Sequence, residues 1–411
     1  MKAFSSWGMA QNLNDSQITE ALEAVARRGF NAVTVAPNGV GIQAEWSKYQ
    51  NVAGARFFTA TPFASSLGPA WATMDHIVAE SQRLGITVLF SFFVSFAESG
   101  IGPDLVAASQ TDAYDYGVAV ASRYRGAPNI VWHVEADTDW QPGDPIGRRL
   151  DNVFRGIADT ETTPRLIVAE PHPGGSGYGM FISEEGTGNS VYEWLHLSTN
   201  AVYDYGDHAV DQFDAVWNEA GATEYPVWDS EPPYASSPHY GEDSRAELRE
   251  RNYSTFIRGG YGINYGDEDW WRFGKPGIFD GGLQWDEVPD SPTTVDAELA
   301  WRLLDAHVKD PTWTRDEGAF VKSGLGSGDT KSAAGYSRTW GLVYKPHASS
   351  ITVDLAIFTT DAVHVQWYDP TTGRYTNVGD LPTTGTHEIQ HPGNNASGKP
   401  DWVLVVDGFP P

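Results

Sequence analysis

Short apolar runs alternate with amphipathic helical patterns over most of the chain. Several runs, such as Ile86-Thr87-Val88-Leu89-Phe90, are continuous, which is typical of parallel strands covered on both faces. Eight strands are predicted, at residues 3–6, 30–35, 86–93, 129–134, 165–170, 195–203, 225–229 and 261–265. Seven helices are predicted, at residues 15–28, 71–84, 112–124, 147–158, 209–220, 243–258 and 295–307.

The order of these elements predicts the fold class. Eight strands that alternate with helices are expected to form an α/β fold of the (β/α)8 TIM barrel type. An open doubly wound sheet is the alternative. The glycine signatures that would favour it are missing, because no G-x-G-x-x-G motif follows the first strand and no G-x-x-x-x-G-K-[ST] motif occurs.

The pattern changes after Pro311. Short segments with partial alternation, such as 340–344, 351–357 and 363–367, are separated by turn clusters and are not interrupted by a helical pattern. Closely spaced strands of this kind predict a smaller antiparallel β-sandwich. We place the boundary near residue 315, which gives a barrel over 1–314 and a sandwich over 315–411.

Composition and charge exclude several classes of partner. Hydrophobic residues make up 40% of the 411 positions and charged residues only 20%, as expected for a chain that buries a core. The formal net charge of −27 repels nucleic-acid phosphates and anionic lipid headgroups, so neither nucleic acid nor membrane is an expected partner. The absence of cysteine excludes disulfides and a thiolate nucleophile.

The first residues, Met-Lys-Ala-Phe-Ser-Ser-Trp-Gly, lack the regions of a signal peptide. We therefore expect a cytoplasmic protein slightly more than a processed secreted form. The sequence does not indicate an oligomeric state.

Carboxylates follow the predicted strands at the end where a barrel carries its functional groups. Glu135 and Asp137 follow the fourth strand, Glu170 ends the fifth and Glu231 follows the seventh. Glu231 lies 94 positions (231 − 137) after Asp137, which is about three βα units of some 30 residues. Two carboxylates opposed across the barrel mouth are what glycosidic cleavage requires. Acidic loops that serve solubility alone are the alternative interpretation.

Aromatic residues also cluster near the strand ends. Sugar rings stack on such flat surfaces, and Tyr234 and the adjacent Trp270 and Trp271 are candidates for substrate binding. Ordinary packing is the other interpretation, and we favour it for Trp132 and Trp228, which lie inside predicted strands.

Several segments of the chain together resemble those of a known protein family. The resemblance rests on the order and spacing of several segments: Pro128-Asn129-Ile130-Val131-Trp132 leading to Asp137, His172-Pro173, Pro226-Val227 to Glu231-Pro232 with Tyr234, Arg245 and Tyr253, Gly260-Tyr261-Gly262 to Tyr265-Gly266, and Trp367-Tyr368-Asp369-Pro370-Thr371-Thr372-Gly373. Together they look like the apiosidase-like family of glycoside hydrolases, over nearly the whole chain.

This resemblance implies a clan A type TIM barrel followed by a β-sandwich. It also implies a retaining mechanism, with Asp137 as acid/base and Glu231 as nucleophile. The expected substrate is an oligosaccharide or polysaccharide of plant or microbial origin that carries a furanoside such as apiose or arabinofuranose. The sandwich resembles a domain labelled collagen-binding in the family, although nothing in its residues supports collagen as a ligand.

One departure from the family pattern concerns the proton donor. The family usually has two glycines before the acid/base aspartate, where this chain has Glu135 and Ala136. Glu135 is therefore an alternative donor, and we favour Asp137 because the motif aligns there. Residues i and i+2 of a continued strand share a face, so both side chains could line the site.

Weaker candidates follow other strands. His172 is expected to bind a sugar hydroxyl, and a structural role is its alternative. Asn200 and Tyr203 end the sixth predicted strand and are expected to bind substrate, and Tyr203 could hydrogen-bond the nucleophile. Arg245 is expected to form a salt bridge, on the helix surface or between elements, and a substrate role is the alternative. No metal or other cofactor is expected, because the histidines are scattered and no H-E-x-x-H motif occurs.

Two other functions remain open at the sequence level. A non-catalytic carbohydrate-binding protein could keep the barrel and its aromatic residues, although both acid positions are occupied. A transglycosylase would share every residue named above.

Overall fold

The computed structural model describes residues 1–37, 49–92, 101–134, 145–171, 200–203, 209–219, 225–237, 244–273 and 282–408. For residues 101, 200–203 and 209 it describes the backbone alone.

Eight parallel strands form one sheet in the order β5-β4-β3-β2-β1-β8-β7-β6. The strands are β1 (Lys2–Ser5), β2 (Ala32–Val35), β3 (Thr87–Ser91), β4 (Ile130–Val134), β5 (Ile167–Ala169), β6 (Asn200–Tyr203), β7 (Val227–Glu231) and β8 (Gly262–Tyr265). β1 pairs with both β2 and β8, so the first and last strands are neighbours. The two ends of the order, β5 and β6, lie in contact. This nearly closed sheet confirms the predicted TIM barrel.

Helices follow the strands as expected for this fold. They are α1 (Met9–Asn12), α2 (Asp15–Arg27), α3 (Trp71–Arg83), α4 (Ile101–Ala107), α5 (Gln110–Arg123), α6 (Pro145–Thr160), α7 (Ala209–Trp217), α8 (Ser244–Ile257) and α9 (Pro292–His307). Two of them begin with a capping box, Asn14 with Gln17 at α2 and Ser109 with Asp112 at α5. In the described ranges no helix is both long and apolar enough to cross a membrane.

The inside of the barrel is filled at the end opposite the strands' carboxyl termini. Ala3, Ala32, Leu89, Val168 and Trp228 come from five different strands and form one buried cluster. The Trp228 indole donates a hydrogen bond to the carbonyl oxygen of Ala169 at 3.3 Å, which links β7 to β5, the strand beyond β6. This part of the barrel is therefore a packed core.

Two glycines allow α5 and α6 to pack closely. A Cβ added at Gly117 would lie 2.0 Å from the Val153 carbonyl oxygen, and one at Gly156 would lie 2.2 Å from the Tyr114 carbonyl oxygen. Backbone atoms cannot yield as side chains do, so any larger residue must push the helices apart.

We expect Gly156→Ala to lower the free energy of unfolding by about 2–3 kcal/mol, since the added methyl group overpacks a helix crossing. Denaturant unfolding followed by circular dichroism measures the change. Gly126→Ala is the matched control, because its Cβ would meet nothing within 4 Å. Equal stability of the two variants would contradict the close packing of α5 against α6.

The remainder of the chain forms two antiparallel sheets. One has six strands in the order β15-β14-β17-β12-β11-β9 and the other three in the order β10-β13-β16. The strands are β9 (Thr314–Arg315), β10 (Val321–Ser323), β11 (Ala333–Tyr336), β12 (Trp340–Lys345), β13 (Ile351–Asp354), β14 (Ala362–Tyr368), β15 (Tyr375–Pro382), β16 (Thr386–Ile389) and β17 (Trp402–Asp407). Both sheets contribute to a separate core that includes Phe320, Val353 and Trp367. This arrangement confirms the predicted β-sandwich; the boundary near residue 315 stays a prediction.

A buried ionic network joins the barrel to the sandwich. Arg249 on α8 bonds Asp401 through Nε at 2.7 Å and Nη2 at 2.9 Å, and Asp296 on α9 through Nη1 at 2.9 Å. Arg245, one turn earlier, pairs with Asp296 at 2.7 Å, which is the salt bridge between elements predicted for it. The Tyr253 and Tyr344 rings stack beside the network with centroids 5.2 Å apart. Polar and aromatic contacts thus hold the two parts of the chain together.

Candidate active site

The carboxyl ends of the parallel strands meet at one edge of the barrel. There the structure brings together residues from β1, β4, β5, β7 and the segment after β8 that are far apart in sequence: Ser5, Trp7, His133, Glu170, Glu231, Tyr234 and Trp271. We refer to these seven residues as the mouth cluster.

Glu231 is the last residue of β7 and is 9% exposed. All five residues of β7 are buried, as its apolar beginning predicts. Asp229, two positions earlier, lies 3.8 Å from Arg251 of α8. β6 and β7 change register between Val202 and Tyr203, so Tyr203 is the backbone partner of Glu231. Such an irregularity re-aims the residues at the end of a strand.

Tyr234 anchors the segment that follows β7. Its hydroxyl donates to Ser5 Oγ at 3.1 Å and accepts a hydrogen bond from the Trp7 indole at 3.2 Å. Burial raises the pKa of Tyr234 well above its ordinary value, and the negative charges of Glu231 and Glu170 raise it further. The phenol is therefore neutral. Its ring lies against Gly266, where an added Cβ would come within 2.4 Å of it.

His133 and Glu170 contribute from β4 and from the end of β5. The His133 ring lies between two tryptophans, with centroid distances of 5.5 Å to Trp7 and 5.9 Å to Trp228. Burial lowers the pKa of His133 to about 3, so the imidazole is neutral. His133 Nε2 lies 3.8 Å from Glu170 Oε2, too far for a hydrogen bond. Because the imidazole is uncharged, the two side chains form no ion pair near neutral pH.

The two adjacent tryptophans after β8 have different surroundings. Trp271 packs with Trp7, Ala36 and Tyr234, donates a hydrogen bond to Glu268 at 2.9 Å and carries the Arg272 guanidinium 4.1 Å above its ring. Trp270 has no exposed surface, stacks on Phe4 with a centroid distance of 4.8 Å, and donates to Ser6 Oγ at 2.8 Å. The structure therefore brings Trp271 into the mouth cluster and places Trp270 in the hydrophobic core.

Asp267 is a fully buried carboxylic acid just after β8. Burial raises its pKa to about 8, although Oδ1 accepts a hydrogen bond from the Asp269 amide at 2.9 Å. Its backbone carbonyl oxygen accepts from the amides of Trp270 and Trp271. The protonated acid is thus part of the turn that directs the two tryptophans.

Asp267 makes stability depend on pH. Its pKa in the folded protein is raised to about 8, against about 3.9 in an unfolded chain. The folded state therefore holds an extra proton between these values, and stability falls as pH rises from about 4 to 8, by up to about 1.4 kcal/mol per pH unit. We expect Asp267→Asn to flatten this part of the profile of melting temperature against pH. The exposed Asp361 provides the control variant, Asp361→Asn, and equal profiles for both variants would contradict the expectation.

For five other predicted site residues the structure describes the backbone alone or nothing. Glu135, Asp137 and His172 lie outside the described residues, and the backbone alone is described for Asn200 and Tyr203. Sequence reasoning did not select Trp7 or His133 for the site. The one available signal was their position at the ends of strands β1 and β4. Among the residues that the structure describes, no group of three or more His, Asp or Glu side chains is arranged to hold a metal ion.

Two known family models match the two parts of the chain. Residues 2–309 match the family model described as "Apiosidase-like, catalytic domain", and residues 319–407 match the one described as "Putative collagen-binding domain of a collagenase". No curated protein matches the sequence.

Solved structures share the fold at low sequence identity. A family 5 glycoside hydrolase from Bacteroides vulgatus is 20% identical with a TM-score of 0.79, over 99% of this chain and 89% of its own. A structure described as a glycoside hydrolase is 18% identical with a TM-score of 0.78, over 99% and 92%. A family 39 glycoside hydrolase from Bacteroides cellulosilyticus is 13% identical with a TM-score of 0.56, over 99% and 80%.

These likenesses show the barrel-and-sandwich fold, and the family model spans most of the chain. The protein belongs to the apiosidase-like family of glycoside hydrolases.

Proposed function

We propose that this glycoside hydrolase is a retaining enzyme in which Glu231 is the nucleophile. The observation that carries the proposal is the position of Glu231, which ends β7 at the barrel mouth and is almost buried beside the neutral Tyr234. A carboxylate held in a site of low dielectric interacts strongly with the positive charge that develops at an anomeric carbon.

Asp137 is the proposed acid/base, with Glu135 as the alternative. In the first step Glu231 attacks the anomeric carbon, the glycosidic C–O bond breaks, and the leaving oxygen takes the proton of the acid. In the second step the acid/base residue, which is now ionised, takes a proton from water. The water oxygen attacks the anomeric carbon and releases Glu231, so the configuration is retained.

The remaining residues are proposed to bind the substrate. Tyr234 holds its ring and hydroxyl in a fixed place through Ser5 and Trp7, and Trp271 adds an aromatic wall beside it. His172, Asn200 and Tyr203 are proposed to contact sugar hydroxyls from the ends of the fifth and sixth strands. Trp270, buried against Phe4, would support this wall from behind.

The proposed substrate is a furanoside such as an apiosyl or arabinofuranosyl residue of a plant or microbial glycan. Membership of the apiosidase-like family supports this choice. A panel of 4-nitrophenyl furanosides and pyranosides tests it, and we expect hydrolysis of a furanoside at the highest kcat/KM.

The stereochemical course tests the mechanism. Proton NMR, recorded before the released sugar mutarotates, should show that the product has the same anomeric configuration as the substrate. Release of the opposite anomer would exclude a covalent intermediate on Glu231.

A further inference from the structure

Glu170 is a buried carboxylate of the mouth cluster that the proposed mechanism does not use. It follows β5 directly, is 1% exposed, and its amide donates a hydrogen bond to the Val134 carbonyl oxygen at 2.8 Å. This bond continues the pairing of β4 with β5 by one residue, so the backbone of Glu170 is held as firmly as the strand before it.

Contacts with residues of other strands connect Glu170 to β7 and the segment that follows it. The neighbouring Ala169 accepts the Trp228 indole hydrogen bond, and the Glu170 carboxylate lies 3.8 Å from His133. The His133 ring contacts Trp7, which bonds to Tyr234. Glu170 and Glu231 therefore lie at the ends of two strands, β5 and β7, that flank β6, and the charges of both reach the Tyr234 phenol.

We infer that Glu170 is a positioning residue that adds a second fixed negative charge to the one on Glu231 and so sets the electrostatic potential in which the glycosidic bond breaks. The inference rests on the proposed function, because it assigns Glu231 as the nucleophile. Two effects follow from the added charge. It stabilises the oxocarbenium-like transition state, which is positive. It also repels the charge on Glu231, so Glu231 ionises at higher pH than it would alone.

Other charged groups of the described chain lie around this pair. On β7 and α8, Asp229 lies beside Arg251. Four charged or titratable residues follow β8. Asp267 is protonated, and Glu268 accepts a hydrogen bond from the Trp271 indole. Asp269 accepts hydrogen bonds from the amides of Gly282 and Leu283, and the Arg272 guanidinium lies over the Trp271 ring. From β4, His133 is neutral.

The test compares two isosteric variants that each remove one negative charge beside β5. Glu170→Gln changes the mouth. Glu161→Gln changes the opposite end, where Glu161 bonds Trp132 and Arg165. The pH dependence of kcat/KM is measured with the 4-nitrophenyl furanoside that the wild type hydrolyses fastest, and melting temperatures check folding.

For Glu170→Gln we expect the acid limb of the profile to move to lower pH by roughly one unit, since a like charge at the same barrel mouth as Glu231 is removed. We also expect kcat at the plateau to fall about tenfold with KM changed less than twofold, because the interaction is made in the transition state. Glu161→Gln should keep the wild-type acid limb. Glu170→Asp keeps the charge but draws it back towards β5, so it should move the limb in the same direction by a smaller amount.

An acid limb that coincides with that of the wild type in Glu170→Gln would overturn the inference and leave the proposed function standing. If Glu170→Gln does not fold, the acid limb of Glu170→Asp is compared with that of the wild type instead, and coincidence of the two would overturn the inference. A wild-type protein that hydrolyses no glycoside of the panel would refute the proposed function, and the inference with it.

Discussion

Glu231→Gln is expected to reduce kcat by about 10⁴-fold or more, because an uncharged amide cannot attack the anomeric carbon or stabilise its positive charge. The side chain keeps its size and lies at the end of a fully buried strand, so the fold should survive. Steady-state and single-turnover rates with a 4-nitrophenyl furanoside measure the loss. Glu388→Gln, the same change at an exposed site of the sandwich, should keep wild-type kinetics.

If Asp137 is the acid/base, the rate loss of Asp137→Ala should depend on the leaving group of the substrate. Asp137→Ala should slow substrates with poor leaving groups by about 10²- to 10⁴-fold, because these need a proton in the first step. It should slow the first step of 4-nitrophenyl glycosides much less, since nitrophenolate leaves without protonation. Added azide should restore turnover of such substrates by replacing the water that the missing base would activate.

The same measurements on Glu135→Ala decide between the two candidates. If Glu135 is the acid/base, its variant shows the leaving-group dependence and Asp137→Ala does not. Equal and small losses for Glu231→Gln and Asp137→Ala would refute the two-carboxylate assignment.

Arg249→Met is expected to lower the free energy of unfolding by about 3–5 kcal/mol, because it leaves the buried Asp401 without its cation and Asp296 with Arg245 alone. The Arg249 side chain is 1% exposed and bridges Asp296, which is equally buried, and Asp401, which is 4% exposed. Asp401 also accepts hydrogen bonds from Tyr344 at 3.2 Å and Asn395 at 2.8 Å. The network therefore transmits the loss to both parts of the chain.

Calorimetry and denaturant unfolding measure this effect. Arg302→Met is the control, since Arg302 is 70% exposed and pairs with Glu298 within the same helix; such a pair contributes at most about 0.5 kcal/mol. The double variant Arg249→Met with Asp401→Asn should recover part of the stability, because one unpaired charge is removed. A loss for Arg249→Met no larger than that for Arg302→Met would show that the network does not hold the barrel to the sandwich.

Most of the fold follows from local pattern. The continuous apolar run at 86–93 predicts a buried parallel strand, and β3 occupies Thr87–Ser91. The change to alternating segments after Pro311 predicts antiparallel sheets, which the structure contains. The helices α1 and α4 were not predicted, because four and seven residues are too few to display a helical period.

The candidate site was predictable only in part. Strand ends identify Glu231 and Tyr234, since parallel strands present their carboxyl ends at one edge. The hydrogen bond between Trp7 and Tyr234 joins residues 227 positions apart, and no local pattern reports such a contact. Trp270 and Trp271 are neighbours in sequence, yet the turn at Asp267 directs one into the core and the other to the mouth.

The amino-acid pattern was sufficient for the class of fold, the order of its elements and the edge at which its carboxylates gather, because hydrophobic periodicity is a local property that burial imposes on each strand and helix. The choice of which side chains meet at that edge was made by closure of the barrel. Closure sets His133 against Trp7 and Trp7 against Tyr234, and these contacts depend on the packing of strands that are far apart in the chain.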